Sequence, residues 1–301
     1  YQPKGVAAVI APWNFPFAIA MGMVSAAIVT GNPVVFKPSS LSSAIGYNLV
    51  EIFKEVGLPA GVFNYCPGQS SVMGDYLVEH PDISLICFTG SMDVGLHIVE
   101  KAAKVQPGQR QVKRGIAYSA FGFQGQKCSA CSRVIVLDAI YDTFVQRLAL
   151  AAQSLRIGPA ENPENFLGPL ADASLQKNVL EYIKIAEAEG KTLVKRSDLP
   201  DKGAYVPLLI VEDVMPEHRI AQEEVFGPVL AVMRAKDFDE ALELALSTRF
   251  ALTGAVFSRS PENLAKAREK FRVGNLYLNK GSTGAMVGRQ PFGGFNMSGV
   301  G

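Results

Sequence analysis

Four times between Gly5 and Lys104 the chain runs through a short apolar stretch and then a helical one. Gly5–Ala11 (GVAAVIA), Val34–Lys37, Gly61–Cys66 and Ile83–Phe88 are nearly continuous apolar runs, which is how a strand reads when both of its faces are covered. A small-residue helix follows Pro12–Pro16 and ends near Gly31. Ser42–Val56 puts Ile45, Leu49, Ile52, Phe53 and Val56 on one helical face and is stopped by Gly57 and Pro59. Ser70–Val78 and Ser91–Lys104 are the other two helices. Strands separated by whole helices have the long crossovers that parallel pairing needs. The expectation is a doubly wound parallel sheet with helices on both faces, the architecture of a nucleotide-binding domain.

The rhythm loosens over Val105–Arg114 and resumes as a second α/β region. Ser132–Leu137 reads as a strand and Tyr141–Leu155 as a helix. Ser174–Glu189 is a helix ended by Gly190, with Leu175, Val179, Ile183 and Ala186 on its buried stripe. Val229–Arg234 and Ala251–Phe257 read as strands, and Pro261–Phe271 as a helix with proline at its first position after Ser260. These patterns divide the chain into residues 1–114 and 115–301, with the boundary at Arg114.

Composition removes several classes of function. Lys+Arg number 29 against 28 Asp+Glu, so the clustered positive charge needed for nucleic acid or an anionic membrane surface is not expected. The apolar run Phe17–Val29 is too short and too rich in Ala, Gly and Ser to span a bilayer. No charged leader with a cleavage site opens the sequence. Four cysteines in 301 residues do not read as a disulfide framework. A reducing compartment, cytoplasm or mitochondrial matrix, is expected. The first residue, Tyr1, and the ending at Gly301 are what a piece of a longer protein would show.

Ligands of open parallel sheets bind beyond the carboxyl ends of the strands. Those ends carry Pro12-Trp13-Asn14, Lys37-Pro38-Ser39 and Thr89-Gly90-Ser91. Gly90 and Ser91 open a helix whose unpaired N–H groups suit a pyrophosphate, although a plain turn and cap explains them as well. The Gly-x-Gly-x-x-Gly fingerprint is absent after the first strand. The stretch Gly122-Phe123-Gln124-Gly125-Gln126-Lys127-Cys128 is more informative. Two glycines leave the thiol uncrowded and open to a ligand, and Lys127 adds positive charge that favours the thiolate. A buried structural thiol is the commoner fate of a cysteine and suits Cys66 and Cys87, which sit in apolar strands. Cys128 and Cys131 spell Cys-x-x-Cys, but without a second pair or a nearby His no metal site is expected. His80, His97 and His218 are scattered. Glu223 and Glu224 could do acid/base work, though two solvated charges before the Gly227-Pro228 turn is the ordinary reading.

In order and spacing, Pro12-Trp13-Asn14-Phe15-Pro16, Lys37-Pro38, Phe88-Thr89-Gly90-Ser91, Gly125-Gln126-Lys127-Cys128, Glu223 to Pro228 and Pro291-Phe292-Gly293-Gly294 resemble the stations of the aldehyde dehydrogenase superfamily. Within it, Phe121–Ala130, Glu217–Glu224 and the run from Gly274 through Thr283-Gly284-Ala285 to Phe295 are most similar to the Δ1-pyrroline-5-carboxylate dehydrogenases, including that part of bifunctional proline-utilisation proteins. The resemblance implies an NAD-dependent oxidation of L-glutamate γ-semialdehyde to L-glutamate in proline catabolism, through a thiohemiacetal and a thioester on Cys128. It implies an NAD-binding domain over 1–114 and a catalytic domain over 115–301. Asn14 would donate to the oxyanion beside the backbone N–H of Cys128. Trp13, Lys37, Ser40, Gly68, Gly90, Ser91, Glu224 and Phe226 would hold the cofactor. Phe15 and Phe292 would sandwich the aliphatic part of the substrate, and Ser129 with Gly284 and Ala285 would bind its α-carboxylate. A homo-oligomer and a proline dehydrogenase domain upstream are further implications.

One station is missing. The superfamily carries a Glu-(Leu/Met/Thr)-Gly-Gly-Lys stretch, whose Glu activates the deacylating water, between the fourth β/α unit and the nucleophile. Here Gln111-Val112-Lys113-Arg114 runs straight into Gly115-Ile116-Ala117-Tyr118. N-terminal helices, subunit-contact strands and a C-terminal tail are absent as well, so the fold is expected to be incomplete. An acyl-CoA-forming relative would need no such base, but the stretches around Ser129 and Gly284 speak against it. The alternative function is a catalytically impaired nucleotide-binding remnant with a structural or regulatory role. If Cys128 is the nucleophile, mild iodoacetamide treatment and peptide mapping should find it alkylated well before Cys66 and Cys87. Equal labelling of all four thiols would refute the assignment.

Overall fold

A computed structural model describes residues 2–105, 120–283, 285 and 290–299. The chain divides into two compact units, Tyr1–Gly115 and Ile116–Gly299. The boundary read at Arg114 and the junction 111–118 lie outside the described residues.

The first unit runs β1 (Val6–Ile10), α1 (Ala18–Val29), β2 (Val34–Lys37), α2 (Ser43–Glu55), β3 (Phe63–Tyr65), α3 (Ser70–Glu79), β4 (Ile83–Phe88) and α4 (Met92–Val105). Its strands pair in the order β3-β2-β1-β4, all parallel. Alternation along β1 assigns each face a helix pair. Ala7 and Val9 pack with Val34, Phe36, α1 residues Ala20, Val24 and Ala27, and Leu49 of α2. Ala8 points the other way, to a second cluster with Ile86, Phe88, Leu77 and Val78 of α3, and Ile98 and Ala102 of α4. Covered faces on both sides are why these strands read as unbroken apolar runs. The small residues of α1 let that helix sit close on the sheet.

The second unit contains β5 (Arg133–Leu137), α5 (Tyr141–Ser154), α6 (Ala173–Glu189), β6 (Lys191–Arg196), β7 (Leu208–Glu212), α7 (Arg219–Gln222), β8 (Val229–Ala235), α8 (Phe238–Leu246), β9 (Phe250–Ala251), β10 (Thr253–Val256), α9 (Pro261–Lys270), β11 (Asn275–Leu278) and β12 (Phe295–Asn296). Its main sheet has the order β5-β8-β7-β6, parallel except for β6. β7 is buried along its whole length. Leu209 and Val211 face α6 through Val179, Ile183 and Ala186, whereas Leu208 and Ile210 face α5 through Tyr141, Val145 and Ala152. Asp172 starts α6 by accepting from the Leu175 N–H at 2.8 Å, and Asp237 starts α8 by accepting from Glu240 at 2.9 Å. Arg133 closes α8 by donating to the carbonyls of Leu244 and Ala245 at 3.1 and 3.0 Å.

The structure adds elements the sequence reading did not contain, among them the helix Phe238–Leu246 and the strand Asn275–Leu278. The strand read over Ala251–Phe257 is two pieces: Phe250–Ala251 pairs antiparallel with β12, and Thr253–Val256 pairs parallel with β11. The chain changes partner at Leu252, whose carbonyl accepts from the Asn275 N–H at 2.9 Å. The hairpin-like pair β6-β7 is also new; β6 is an edge strand of mixed character (KTLVKR).

The burial pattern sets the cost of truncation. Phe36 has no exposed surface, while Val29 is 82% exposed. Phe36→Ala is expected to lose about 3–5 kcal/mol in urea unfolding. Val29→Ser should stay within about 0.5 kcal/mol of the parent.

Candidate active site

In the first unit the strand order reverses between β1 and β4, because β2 and β3 lie on one side of β1 and β4 on the other. Such a switch point opens a crevice beyond the carboxyl ends. Thr89 closes onto β1 there, its N–H donating to the Ile10 carbonyl at 3.2 Å. Asn14 is buried just after β1, flanked by half-buried Trp13 and Phe15. Lys37 ends β2 with almost no exposed surface, and its ammonium donates to the Pro38 carbonyl at 3.3 Å. Burial lowers the Lys37 pKa, and the neighbouring Cys66 opposes that. Ser40 is exposed at the start of a single 3-10 turn, Ser40–Ser42. Gly68 lies between β3 and α3, and Gly90 follows β4; both are half-buried. Ser91 caps α4, its hydroxyl accepting from the Val94 N–H at 3.4 Å.

These residues fit a dinucleotide. An ammonium carries three donors, and buried beside a strand end it suits the hydroxyls of a ribose. An open, capped helix start beside Gly90 suits phosphate oxygens.

The second unit holds Cys128. β5 begins at Arg133, so Cys128 sits on the loop that enters the main sheet. Phe123 and Gln124 both adopt the left-handed backbone, with φ 59 and ψ 33 and with φ 59 and ψ 25, and Gly125 continues it at φ 68. A non-glycine residue in this region costs about 1–2 kcal/mol, so the turn needs restraint from outside. The Gln124 amide provides it when its oxygen faces the Gly168 N–H, accepting at 2.8 Å, while its nitrogen donates to the Phe123 carbonyl at 3.0 Å. Gln126 is buried, and its side-chain oxygen accepts from the Ala171 N–H at 2.9 Å. At Gly125 a Cβ would overlap the Gly227 carbonyl. The glycine is therefore required by close contact with the Glu223–Pro228 segment, a cause the sequence reading of an uncrowded thiol did not contain. Gln124 and Gln126 are the residues missed. Their types carry no special signal without the backbone angles.

Beyond the cysteine, Ser129 is buried and its carbonyl accepts from the Ser282 hydroxyl at 3.3 Å. This joins the two stretches expected to bind the substrate carboxylate. Ala285 and Phe292 are half-buried, and Gly284 lies outside the described residues. The Cys131 thiol donates to the Arg133 carbonyl at 3.4 Å, and burial pushes it up to about 11, which makes it a structural thiol. None of the four cysteines is in a disulfide.

The adjacent carboxylates are not two equivalent solvated charges. Glu189 accepts from the Arg219 and Ile220 N–H groups at 3.0 and 3.1 Å and fixes α7. Arg219 then grips Glu223 through two bonds of 2.9 and 2.8 Å, and the Tyr182 hydroxyl donates to it at 2.8 Å. Arg219 above all holds the Glu223 carboxyl below its usual range. Glu224 has an open solvent face, yet desolvation by the protein around it raises its carboxyl to about 7. Water on the open face opposes that rise. Phe226, two residues on, is left-handed at φ 57. Opposite pKa shifts in neighbouring acids are the pattern of a functional site.

The aldehyde dehydrogenase family model matches residues 1–111 and 109–301. A 1-pyrroline-5-carboxylate dehydrogenase of Anoxybacillus flavithermus is 49% identical over 324 aligned positions, covering all of this chain and 63% of the relative. A Geobacillus protein of the same name matches to the same extent. Among solved structures, proline utilization A from Bdellovibrio bacteriovorus, inactivated by N-propargylglycine, superimposes with a TM-score of 0.95 at 49% identity, covering all of this chain and 34% of that one. The Thermus 1-pyrroline-5-carboxylate dehydrogenase with bound NAD gives 0.94 at 44%, covering 99% and 62%. Two α/β units, one with a strand-order switch and one with a cysteine loop, define the class. The chain belongs to the aldehyde dehydrogenase family. It spans about 63% of the length of its curated relatives. The alignment spans 324 positions against the 301 residues of the chain, and the family match comes in two parts that meet at 109–111.

A carboxyl whose folded pKa is raised holds its proton longer folded than unfolded. Its effect on stability is therefore nil at acid pH, and stability falls as pH rises from its ordinary value of about 4.3 towards about 7. Glu224→Gln is expected to leave the melting temperature unchanged at pH 4. At pH 8 it should stabilise by about 1 kcal/mol, the size being reduced by solvent screening. Stabilisation of equal size at both pH values would contradict the raised carboxyl.

Proposed function

We propose that this chain is the core of an NAD-dependent L-glutamate γ-semialdehyde dehydrogenase acting in proline catabolism in the cytoplasm. In the whole protein it would work as a homo-oligomer, with a proline dehydrogenase domain linked upstream. The observation that carries the reading is the restrained Cys128 loop, whose Ser129 is bound to the Ser282 hydroxyl of the second carboxylate-binding stretch. Similarity to 1-pyrroline-5-carboxylate dehydrogenases over the full chain supports the same substrate class.

In this reading residues 1–114 bind the cofactor and 115–301 carry the catalytic thiol. Trp13, Lys37, Ser40, Gly68, Gly90 and Ser91, with Glu224 and Phe226, hold NAD, which supplies the two-electron acceptor when bound. The Cys128 thiolate attacks the aldehyde carbon, and the new S–C bond leaves negative charge on the former carbonyl oxygen. The Asn14 amide and the Cys128 N–H donate to that oxyanion; one such donor is typically worth about 3 kcal/mol of barrier. Phe15 and Phe292 enclose the aliphatic chain, and Ser129, Gly284 and Ala285 bind the α-carboxylate. Release of glutamate requires water to attack the acylated Cys128. A positioned base accelerates that step by roughly 10²–10⁴, and the family's base lies in the stretch this chain lacks. Glu223 is a poor replacement, because Arg219 and Tyr182 occupy it.

A second reading follows from the division of the family match: a nucleotide-binding remnant with a structural or regulatory role. One experiment separates the two. With NAD and glutamate semialdehyde, an acylating but slowly deacylating enzyme should give at most one NADH per chain, followed by little turnover. Mass spectrometry should then find the acyl group on Cys128. No burst and no adduct would favour the remnant. A better kcat/KM for propanal than for glutamate semialdehyde would remove the substrate assignment alone.

A further inference from the structure

We infer that Arg219 is a positioning residue: through Glu223 it fixes the place of Glu224 and so sets the affinity for NAD. The inference rests on the reading of Glu224 as a contact of the cofactor, and it gives work to a guanidinium that this reading leaves without any.

Arg219 holds Glu223 by backbone and by side chain. The Glu223 N–H donates to the Arg219 carbonyl at 2.7 Å, and the guanidinium donates to both carboxylate oxygens, at 2.9 and 2.8 Å. A two-pronged bond fixes direction as well as distance. The Tyr182 hydroxyl adds a third donor at 2.8 Å. The guanidinium also lies 5.7 Å from the centre of the Tyr182 ring, within the range where a cation is attracted to a ring face. Arg219 is fixed in its turn, because Glu189 accepts from its N–H at 3.0 Å. Tyr182 and Glu189 both belong to α6, so that helix carries the whole clamp.

Glu224 is placed from both sides and by nothing of its own. Before it stands the clamped Glu223, with an extended backbone at φ −109 and ψ 154. After it, Val225 is buried in the cluster with Val179 and Ile183, and Gly227 has no room for a Cβ against Val179. The Glu224 carboxylate itself makes no hydrogen bond or ion pair among the described residues. Its position is therefore set by the backbone between those two anchors. Stability does not account for the clamp: the Arg219 and Glu223 side chains are 54% and 33% exposed, and so open an ion pair contributes little to folding. What a fork on a carboxylate fixes is geometry. A carboxylate that accepts from ribose hydroxyls depends on geometry, since such bonds weaken steeply with misalignment.

The test is equilibrium binding of NAD and of AMP to the full chain, with thermal melting of every variant. AMP carries a ribose and a phosphate, the groups that the first unit suits, and lacks the rest of the dinucleotide. Arg219→Met should weaken NAD by about three- to tenfold, the equivalent of one well-placed hydrogen bond. It should leave AMP binding and the melting temperature close to those of the parent. Tyr182→Phe removes one donor and should act in the same sense, less strongly. In a Glu224→Ala background, Arg219→Met should weaken NAD no further. Unchanged NAD binding in both Arg219→Met and Tyr182→Phe would overturn the inference, as would equal losses of NAD and AMP. So would an undiminished effect of Arg219→Met without the Glu224 carboxylate. In each of these cases Glu224→Ala still weakens NAD if the underlying reading holds. Failure of that reading looks different: Glu224→Ala would bind NAD as the parent does, and the inference would fall with it.

Discussion

At Gly125 the backbone lies against the Gly227 carbonyl with no space for a side chain. That contact joins two loops that the sequence keeps about a hundred residues apart, one leading to Cys128 and the other carrying Glu224 and Phe226. It also forces a geometry. Gly125 must take φ 68, and the preceding Phe123 and Gln124 follow it into the left-handed region. Residues placed there persist only when the surroundings over-determine them. The surroundings here are the Gly168–Ala171 backbone, reached by the side chains of Gln124 and Gln126. Gly227 is constrained in its turn, since a Cβ on it would come within 2.6 Å of Val179 in the core of α6. A chain of contacts thus runs from the hydrophobic core to the nucleophile loop.

The carboxylate pair illustrates how one segment supplies two electrostatic environments. Glu223 faces Arg219 and Tyr182, which hold its carboxyl down, whereas the protein on one side of Glu224 raises its carboxyl although the other side is open to solvent. The ionised neighbour does structural work. It ties the segment to α7, which Glu189 caps from the end of α6.

Much of this was legible in the residues. Val34–Lys37 and Ile83–Phe88 have the same bounds in sequence and structure, because strands buried on both faces are unbroken apolar runs. The buried stripe of α6 through Val179, Ile183 and Ala186 was equally plain. Legibility failed where partners rather than periodicity decide. Leu252 lies inside one apolar run, yet the run divides there because β12 claims one side and β11 the other. The edge strand β6 has few apolar residues, since its outer edge and much of its surface meet solvent. At the site, the motif singles out Cys128 and Glu224 as candidates by type and spacing. It could not reveal the left-handed turn, because Phe and Gln are ordinary residues until their φ angles are known.

The missing stretch falls where it disturbs the packing of each unit least. Clusters around Val9 and Ile86 complete the first unit from β1 to α4, and those around Val211 and Ile210 complete the second from β5 onward. The break in the family match at 109–111 lies between these two sets. Each core is built from elements that the chain retains, so the apolar area that drives folding is conserved within each unit. Loss of a buried core element would remove several kcal/mol of packing at once and unfold a unit of ordinary marginal stability. Loss of a connecting stretch changes mainly the chemistry that stretch performed. In the reading proposed above the steps are separable: the groups expected to acylate Cys128 are in the sequence, and the group expected to release the acyl product is not.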